Sequence, residues 1–168
     1  LIESATPSWE HDYKLIKEIK NKYPKLKIIV AGPISTSDQN WDSEIIYAVL
    51  KGEYEKNVMK VLNGKDGLLE HDLLTLEEMN KAPFPYYDKF IYDKYFDGNP
   101  IPMNKLSPQA HVLTSRGCPF KCIFCVWPAA MTGNDPDGEN KRSVRQYTPD
   151  YMKGFLDKLT TDYKFEAI

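Results

Sequence analysis

All three cysteines of the chain lie within eight positions of the segment TSRGCPFKCIFC, as Cys118, Cys122 and Cys125. An odd, clustered set in a sequence without a secretory signal pattern indicates metal binding or redox chemistry, since a disulfide framework needs paired cysteines. Gly117 and Pro119 flank the first cysteine, and chance clustering of three buried thiols on such a loop is improbable. The spacing therefore predicts a metal centre.

More than one kind of centre is compatible with three close thiols. A structural zinc site needs four ligands, and the fourth would be His11, His71, His111 or a residue outside this sequence. A single catalytic thiol does not need two further cysteines beside it. Cubane iron–sulfur clusters are usually held by four thiolates, so three thiolates leave one iron with open positions. A cluster that binds a substrate or cofactor at this iron is the favoured interpretation.

The cysteine segment resembles the signature of the radical S-adenosylmethionine superfamily. Its three cysteines match the ligand positions, Phe124 matches the aromatic residue that commonly precedes the last ligand, and Arg-Gly-Cys-Pro is a common opening. The resemblance implies a [4Fe–4S] cluster whose open iron is chelated by S-adenosylmethionine. Reduction of the sulfonium then yields methionine and a 5′-deoxyadenosyl radical. It further implies that Phe124 and Arg145 contact S-adenosylmethionine, since relatives often carry Arg before the first barrel helix.

The N-terminal part is similar to the end of a cobalamin-binding domain joined to radical S-adenosylmethionine enzymes. SAT, from Ser4 to Thr6, resembles a stretch that lines the nucleotide tail, and AGP, at 31–33, resembles the Gly-Gly turn that follows it. LKGEYE, APFPYYD and CVWP resemble further elements in the order of that group. The resemblance implies that Ser4, Thr6 and Gly32 line a cobalamin site. Ala31 stands in place of a glycine, and the Asp-x-His-x-x-Gly element of the lower ligand does not occur in this sequence.

Apolar patterning predicts the elements that position these residues. The first 33 residues read as strand, helix and strand, with the β-branched run KLKIIVAGP as the second strand. SEIIYAVLKG predicts another strand, and EYEKNVMKVLNG predicts a helix that Gly64 ends. HVLTS predicts a short strand before the cysteines, TPDYMKGFLDKL a helix capped by Thr148, and YKFEAI the next strand.

The predicted fold class is α/β, with three parts in chain order. Residues 1–65 are interpreted as the C-terminal part of a Rossmann-like (flavodoxin-like) cobalamin-binding-type domain. Residues 66–108 are interpreted as an ordered linker rich in Pro and Tyr, and residues 109–168 as the start of a radical S-adenosylmethionine core. HVLTS would be the first strand of its (β/α) barrel, with the cysteine loop at the strand's carboxyl end. The apolar opening without Met and the ending inside a predicted strand indicate a fragment at both ends.

Composition narrows the functional classes. A formal charge of −2 gives no electrostatic basis for nucleic-acid binding, and no apolar run approaches the ~20 residues of a membrane span. The predicted setting is a reducing cytoplasm.

The predicted function is radical S-adenosylmethionine chemistry, with cobalamin-linked methyl transfer to carbon as its form. The substrate would be a small molecule, lipid or natural product, and the electron donor a flavodoxin or ferredoxin. The alternatives are oxidative cyclisation or rearrangement without methyl transfer, and a non-catalytic zinc or iron–sulfur module. A tRNA-modifying methylthiotransferase would bring further cysteines before Cys118, and none occur. The isolated fragment is predicted to be inactive, because most of the barrel would be missing.

Overall fold

A computed structural model describes residues 1–37, 39–87, 110–120, 122, 124, 125 and 144–165 of the chain. These residues divide into two compact units. The first comprises Leu1–Leu74 and the described part of Gly117–Val144, and the second comprises the described parts of Thr75–Arg116 and Arg145–Ile168. No helix in the described ranges is long and apolar enough to cross a membrane.

The first unit is built on a four-stranded parallel sheet in the order β1-β2-β3-β4. Its strands are β1 (Ile2–Glu3), β2 (Ile29–Ala31), β3 (Ala48–Leu50) and β4 (Gly67–Leu69). Helix α1 (Trp9–Lys22) connects β1 to β2, a 3-10 helix (Pro33–Thr36) follows β2, and α2 (Glu55–Leu62) connects β3 to β4. The predicted α/β class and the strand–helix–strand opening are therefore confirmed.

Both faces of this sheet carry buried apolar residues, which alternate along the strands. Val30 and Val49 are paired in register and pack with Ile16 of α1. Ala31 and Leu50, one position further along each strand, pack with Val61 of α2. Because successive residues of a strand point to opposite faces, α1 and α2 cover opposite sides of the sheet. This layering is consistent with a Rossmann-like arrangement.

Two elements lie in the region that the sequence predicted as a linker. β4 pairs with β3 along three residues and forms an outer strand of the sheet. Helix α3 (Leu76–Lys81) begins with a capping box, in which Thr75 and Glu78 each accept a hydrogen bond from the other's backbone N–H. The predicted domain boundaries themselves stay a prediction, and much of the Pro- and Tyr-rich stretch lies outside the described residues.

The second unit contains α3, α4 (Pro149–Thr161) and a two-stranded antiparallel ladder. The ladder pairs β5 (Ser115–Arg116) with β6 (Arg145–Gln146). Thr148 caps α4 by accepting a hydrogen bond from the Tyr151 N–H, as predicted. The core of this unit packs α4 against aromatic residues from both sides of it in the sequence. Its buried members are Ala110, Phe155, Leu159 and Phe165, and Phe84, Tyr87 and Tyr163 are among the partly buried residues around them.

Two predicted strands differ from the structure. Only Ser115 of HVLTS lies in a strand, and this strand pairs antiparallel with β6. Residues 163–165 of YKFEAI are not in a strand, and 166–168 lie outside the described residues. A short apolar run becomes a strand only where a partner supplies its hydrogen bonds, and here the partner of β5 comes from beyond the cysteine loop.

Candidate functional site

The cysteine loop leaves the ladder directly after β5. Gly117 adopts a φ of 94°, a conformation that favours glycine, and Cys118 follows it half-buried. The backbone N–H of Cys125 donates to the carbonyl of Cys122 at 3.0 Å, so a tight turn joins the last two cysteines. Cys122 and Cys125 are exposed, and all three thiols are free. The loop therefore offers three accessible sulfur donors.

The donor set fits an iron–sulfur cluster in its chemistry, since such clusters are held by thiolates and all three thiols here are free. Among the described residues, however, no three His, Cys, Asp or Glu side chains are grouped so as to hold a metal ion. Metal binding can be coupled to the ordering of the segment that carries the ligands. Cluster binding would therefore have to draw the three sulfurs together.

Phe124 and Arg145, the predicted contacts for S-adenosylmethionine, have contrasting environments. The Phe124 ring, between the last two cysteines, is 88% exposed and presents an open aromatic face. Arg145 is buried and lies in β6 directly opposite Arg116 of β5. The pairing brings Arg145 beside the residue that stands two positions before Cys118.

Ser4 and Gly32, two of the three predicted cobalamin residues, meet at the carboxyl edge of the parallel sheet. Ser4 follows β1 and is 4% exposed, and Gly32 follows β2 with a φ of 90°. A Cβ at Gly32 would lie 2.6 Å from the Ser4 carbonyl oxygen and 2.8 Å from Cγ of Glu3. Thr6 is exposed in the turn before α1. The missing side chain of Gly32 thus makes room for the neighbouring strand.

Polar side chains at this edge form hydrogen bonds with each other. The Ser4 hydroxyl donates to Oδ2 of Asp12 at 2.5 Å, and the Ser8 hydroxyl donates to the same oxygen at 2.7 Å. The Tyr54 hydroxyl donates to Oε2 of Glu3 at 3.4 Å. The nucleotide tail of cobalamin carries a phosphodiester, which two carboxylates would repel. Ser4 and Gly32 therefore do not fit the nucleotide tail of cobalamin.

Two hydrogen bonds lower the pKa of Asp12 below its ordinary value of 3.8. The bond from Ser4 has the larger effect, and the bond from Ser8 adds to it. A carboxyl whose pKa is lower in the folded state than in the unfolded state stabilises the fold. This stabilisation is fully present above the unfolded-state pKa and is lost as pH falls through the folded-state pKa. We expect Asp12→Asn to lower the stability at neutral pH and to flatten its decline below about pH 4.

Denaturant unfolding followed by circular dichroism from about pH 3 to pH 7 measures this effect. Glu18→Gln, an exposed change on the same helix, is the control and should leave the profile unchanged. An unaltered acid decline in Asp12→Asn would contradict the structural role of the carboxylate.

A polar cluster beside β4 was not predicted. Asn57 of α2 is fully buried, and its Nδ2 donates to the Glu70 carbonyl while its Oδ1 accepts from Lys60, both at 2.9 Å. The adjoining open cleft of about 640 Å³ is also lined by His71, whose buried Nε2 has no hydrogen-bond partner in the described ranges. Lysines and carboxylates both line the cleft, so its charge favours no single class of ligand.

No family profile and no solved structure matches the chain. A stretch of 85 residues, 49% of this chain, is 32% identical to a protein of Pyrococcus horikoshii named as an uncharacterized methyltransferase. This stretch covers 17% of the Pyrococcus protein, so the chain spans a small part of the length of the relative it matches.

Proposed function

We propose that this chain carries the cluster-binding segment of a radical S-adenosylmethionine enzyme. The observation that carries the proposal is the Cys-x3-Cys-x2-Cys spacing of Cys118, Cys122 and Cys125, with all three thiols free. Three thiolates suit a cluster that keeps one iron open for S-adenosylmethionine. The chemistry that a bound cluster supplies is one-electron reductive cleavage of S-adenosylmethionine to methionine and a 5′-deoxyadenosyl radical.

The chain's own residues would bind and orient the reactants. The three cysteines would ligate the irons. The positive φ of Gly117 changes the direction of the chain between β5 and Cys118. Phe124, with its exposed ring, would stack on a planar group of S-adenosylmethionine. Arg145 stays a proposed contact for the same molecule. A low-potential flavodoxin or ferredoxin would reduce the cluster. The substrate would be a small molecule, lipid or natural product.

Methyl transfer to carbon is the reaction that we propose for this site. The similarity of part of the chain to a protein named as a methyltransferase supports it. One S-adenosylmethionine would be cleaved to the radical that removes a hydrogen atom from the substrate. A second would donate its methyl group to the resulting substrate radical, with one further electron from the flavodoxin or ferredoxin, so S-adenosylhomocysteine would accumulate alongside 5′-deoxyadenosine and methionine.

Oxidative cyclisation or rearrangement is the second candidate. The carboxylates beside Ser4 and Gly32 favour it, since Asp12 and Glu3 would repel the phosphodiester of the cobalamin that methyl transfer by this domain pair implies. This reaction would release 5′-deoxyadenosine without S-adenosylhomocysteine. Chromatography of both nucleosides after turnover of the complete protein therefore separates the two candidates.

Both candidate reactions need the cluster, and the test for it is anaerobic reconstitution of the complete protein with iron and sulfide, followed by electron paramagnetic resonance of the reduced sample. We expect a [4Fe–4S] signal that changes when S-adenosylmethionine is added. Preferential uptake of zinc, or a cluster signal indifferent to S-adenosylmethionine, would refute the proposal and leave a structural metal loop.

A further inference from the structure

The stem of the cysteine loop is a short ladder. β5 and β6 contribute two residues each, and the Tyr147 N–H extends the pairing by donating to the Thr114 carbonyl at 3.1 Å. An isolated two-stranded ladder is marginally stable in water even when it is longer. The stem therefore needs support from side chains or from neighbouring elements.

Tyr147 provides that support. Its hydroxyl oxygen accepts a hydrogen bond from Nε of Arg116 at 3.2 Å, across the ladder. Its ring stacks on Tyr151 in the first turn of α4, with ring centroids 4.7 Å apart and planes at 12°. The next residue, Thr148, caps α4 and donates its N–H to Oδ1 of Asn80 in α3 at 2.6 Å. The Tyr147 side chain thus connects Arg116 to α4, whose first turn is held by the hydrogen bond between Thr148 and Asn80.

The two arginines of the ladder explain why this contact matters. Arg116 and Arg145 are directly opposite, and residues paired in this way in an antiparallel ladder project from the same face. An acceptor on Tyr147 gives the Arg116 guanidinium a defined direction next to Arg145.

We propose that Tyr147 is a positioning residue for the cysteine loop and acts through Arg116, two residues before Cys118. The part of this inference that concerns the cluster rests on the proposed function, whereas the part that concerns the stem does not. Tyr147 fixes the side chain of Arg116 at the end of β5, from which the chain continues through Gly117 to Cys118.

Tyr147→Phe tests the inference because it keeps the stacked ring and removes only the hydroxyl. Tyr151→Phe is the matched control, since it removes the hydroxyl of the other ring in the same stack. In the reconstituted chain we expect Tyr147→Phe to lose its cluster to an iron chelator roughly tenfold faster, the scale of one lost hydrogen bond to a charged group. We also expect an altered electron paramagnetic resonance spectrum, with Tyr151→Phe like the wild type.

Amide hydrogen exchange of the unreconstituted chain tests the stem without any cluster. We expect faster exchange at Arg116 and at Tyr147 in Tyr147→Phe, at an unchanged melting temperature. Equal exchange in the wild type and both variants, or equal acceleration in both variants, would overturn the inference. A wild-type chain that takes no cluster would refute the proposed function alone, and the exchange result would still decide the role of Tyr147.

Discussion

Cys122→Ala is expected to abolish formation of the [4Fe–4S] cluster and its response to S-adenosylmethionine. Cys122 is the middle cysteine of the motif in the sequence, and its backbone carbonyl accepts the hydrogen bond from the Cys125 N–H. Removing one of three thiolates leaves two protein ligands, which is fewer than a cubane site that keeps a single open iron requires. Iron and sulfide analysis with electron paramagnetic resonance, after anaerobic reconstitution, measures the loss.

Phe124→Ala is the matched control in the same loop. It removes an exposed ring and no thiol, so the cluster should form as in the wild type while the spectral change caused by S-adenosylmethionine is weakened. Full cluster content in Cys122→Ala would show that this cysteine is not a ligand. Loss of the cluster in both variants would point to a damaged loop.

Gly32→Ala is expected to be the most destabilising single change at the sheet edge. A Cβ there would lie 2.6 Å from a backbone oxygen of Ser4, and the φ of 90° is strained for any residue with a side chain. The strained backbone costs about 1–3 kcal/mol, since a φ of 90° with a ψ of −174° is almost confined to glycine, and overpacking typically adds 1–3 kcal/mol. We expect a total loss of roughly 3 kcal/mol or more in the free energy of unfolding, measured with urea.

Gly64→Ala separates the two contributions to this loss. Gly64 has a φ of 97°, but a Cβ there would have nothing within 4 Å. It should therefore lose only the backbone part, about 1–2 kcal/mol. Equal losses in the two variants would mean that the contact between β1 and the turn after β2 is looser than the structure shows, and would reopen this edge to a ligand.

The cysteine motif and Gly32 differ in how much the sequence alone predicts about their role. The cysteine spacing is a local property, so the sequence was sufficient to single out the three thiols and the chemistry they suggest. A glycine after a strand suits a ligand-binding turn and a close approach of two backbones equally well. Only the position of β1 shows that Ser4 and Glu3 occupy the space beside Gly32.

Elements with local sequence signals could be predicted from the residues alone. Helices α1, α2 and α4 follow from apolar spacing and end signals such as Gly64 and Thr148, and β2 and β3 follow from β-branched runs. The capping box at Thr75 and Glu78 is an equally local signal, which could have identified α3. The short run Gly67–Leu69 has no such signal, since only its pairing with β3 makes it a strand.

The tertiary structure alone decided which distant residues meet. The hydroxyl of Ser4 reaches Asp12 because β1 and α1 pack together, and Arg116 reaches Tyr147 because a ladder closes the cysteine loop. Such contacts depend on how separate elements pack and form hydrogen bonds with each other, and neither periodicity nor local propensity encodes them. Thus the cysteine motif could be identified from the residues alone, whereas the filled sheet edge and the anchored stem of the cysteine loop could not.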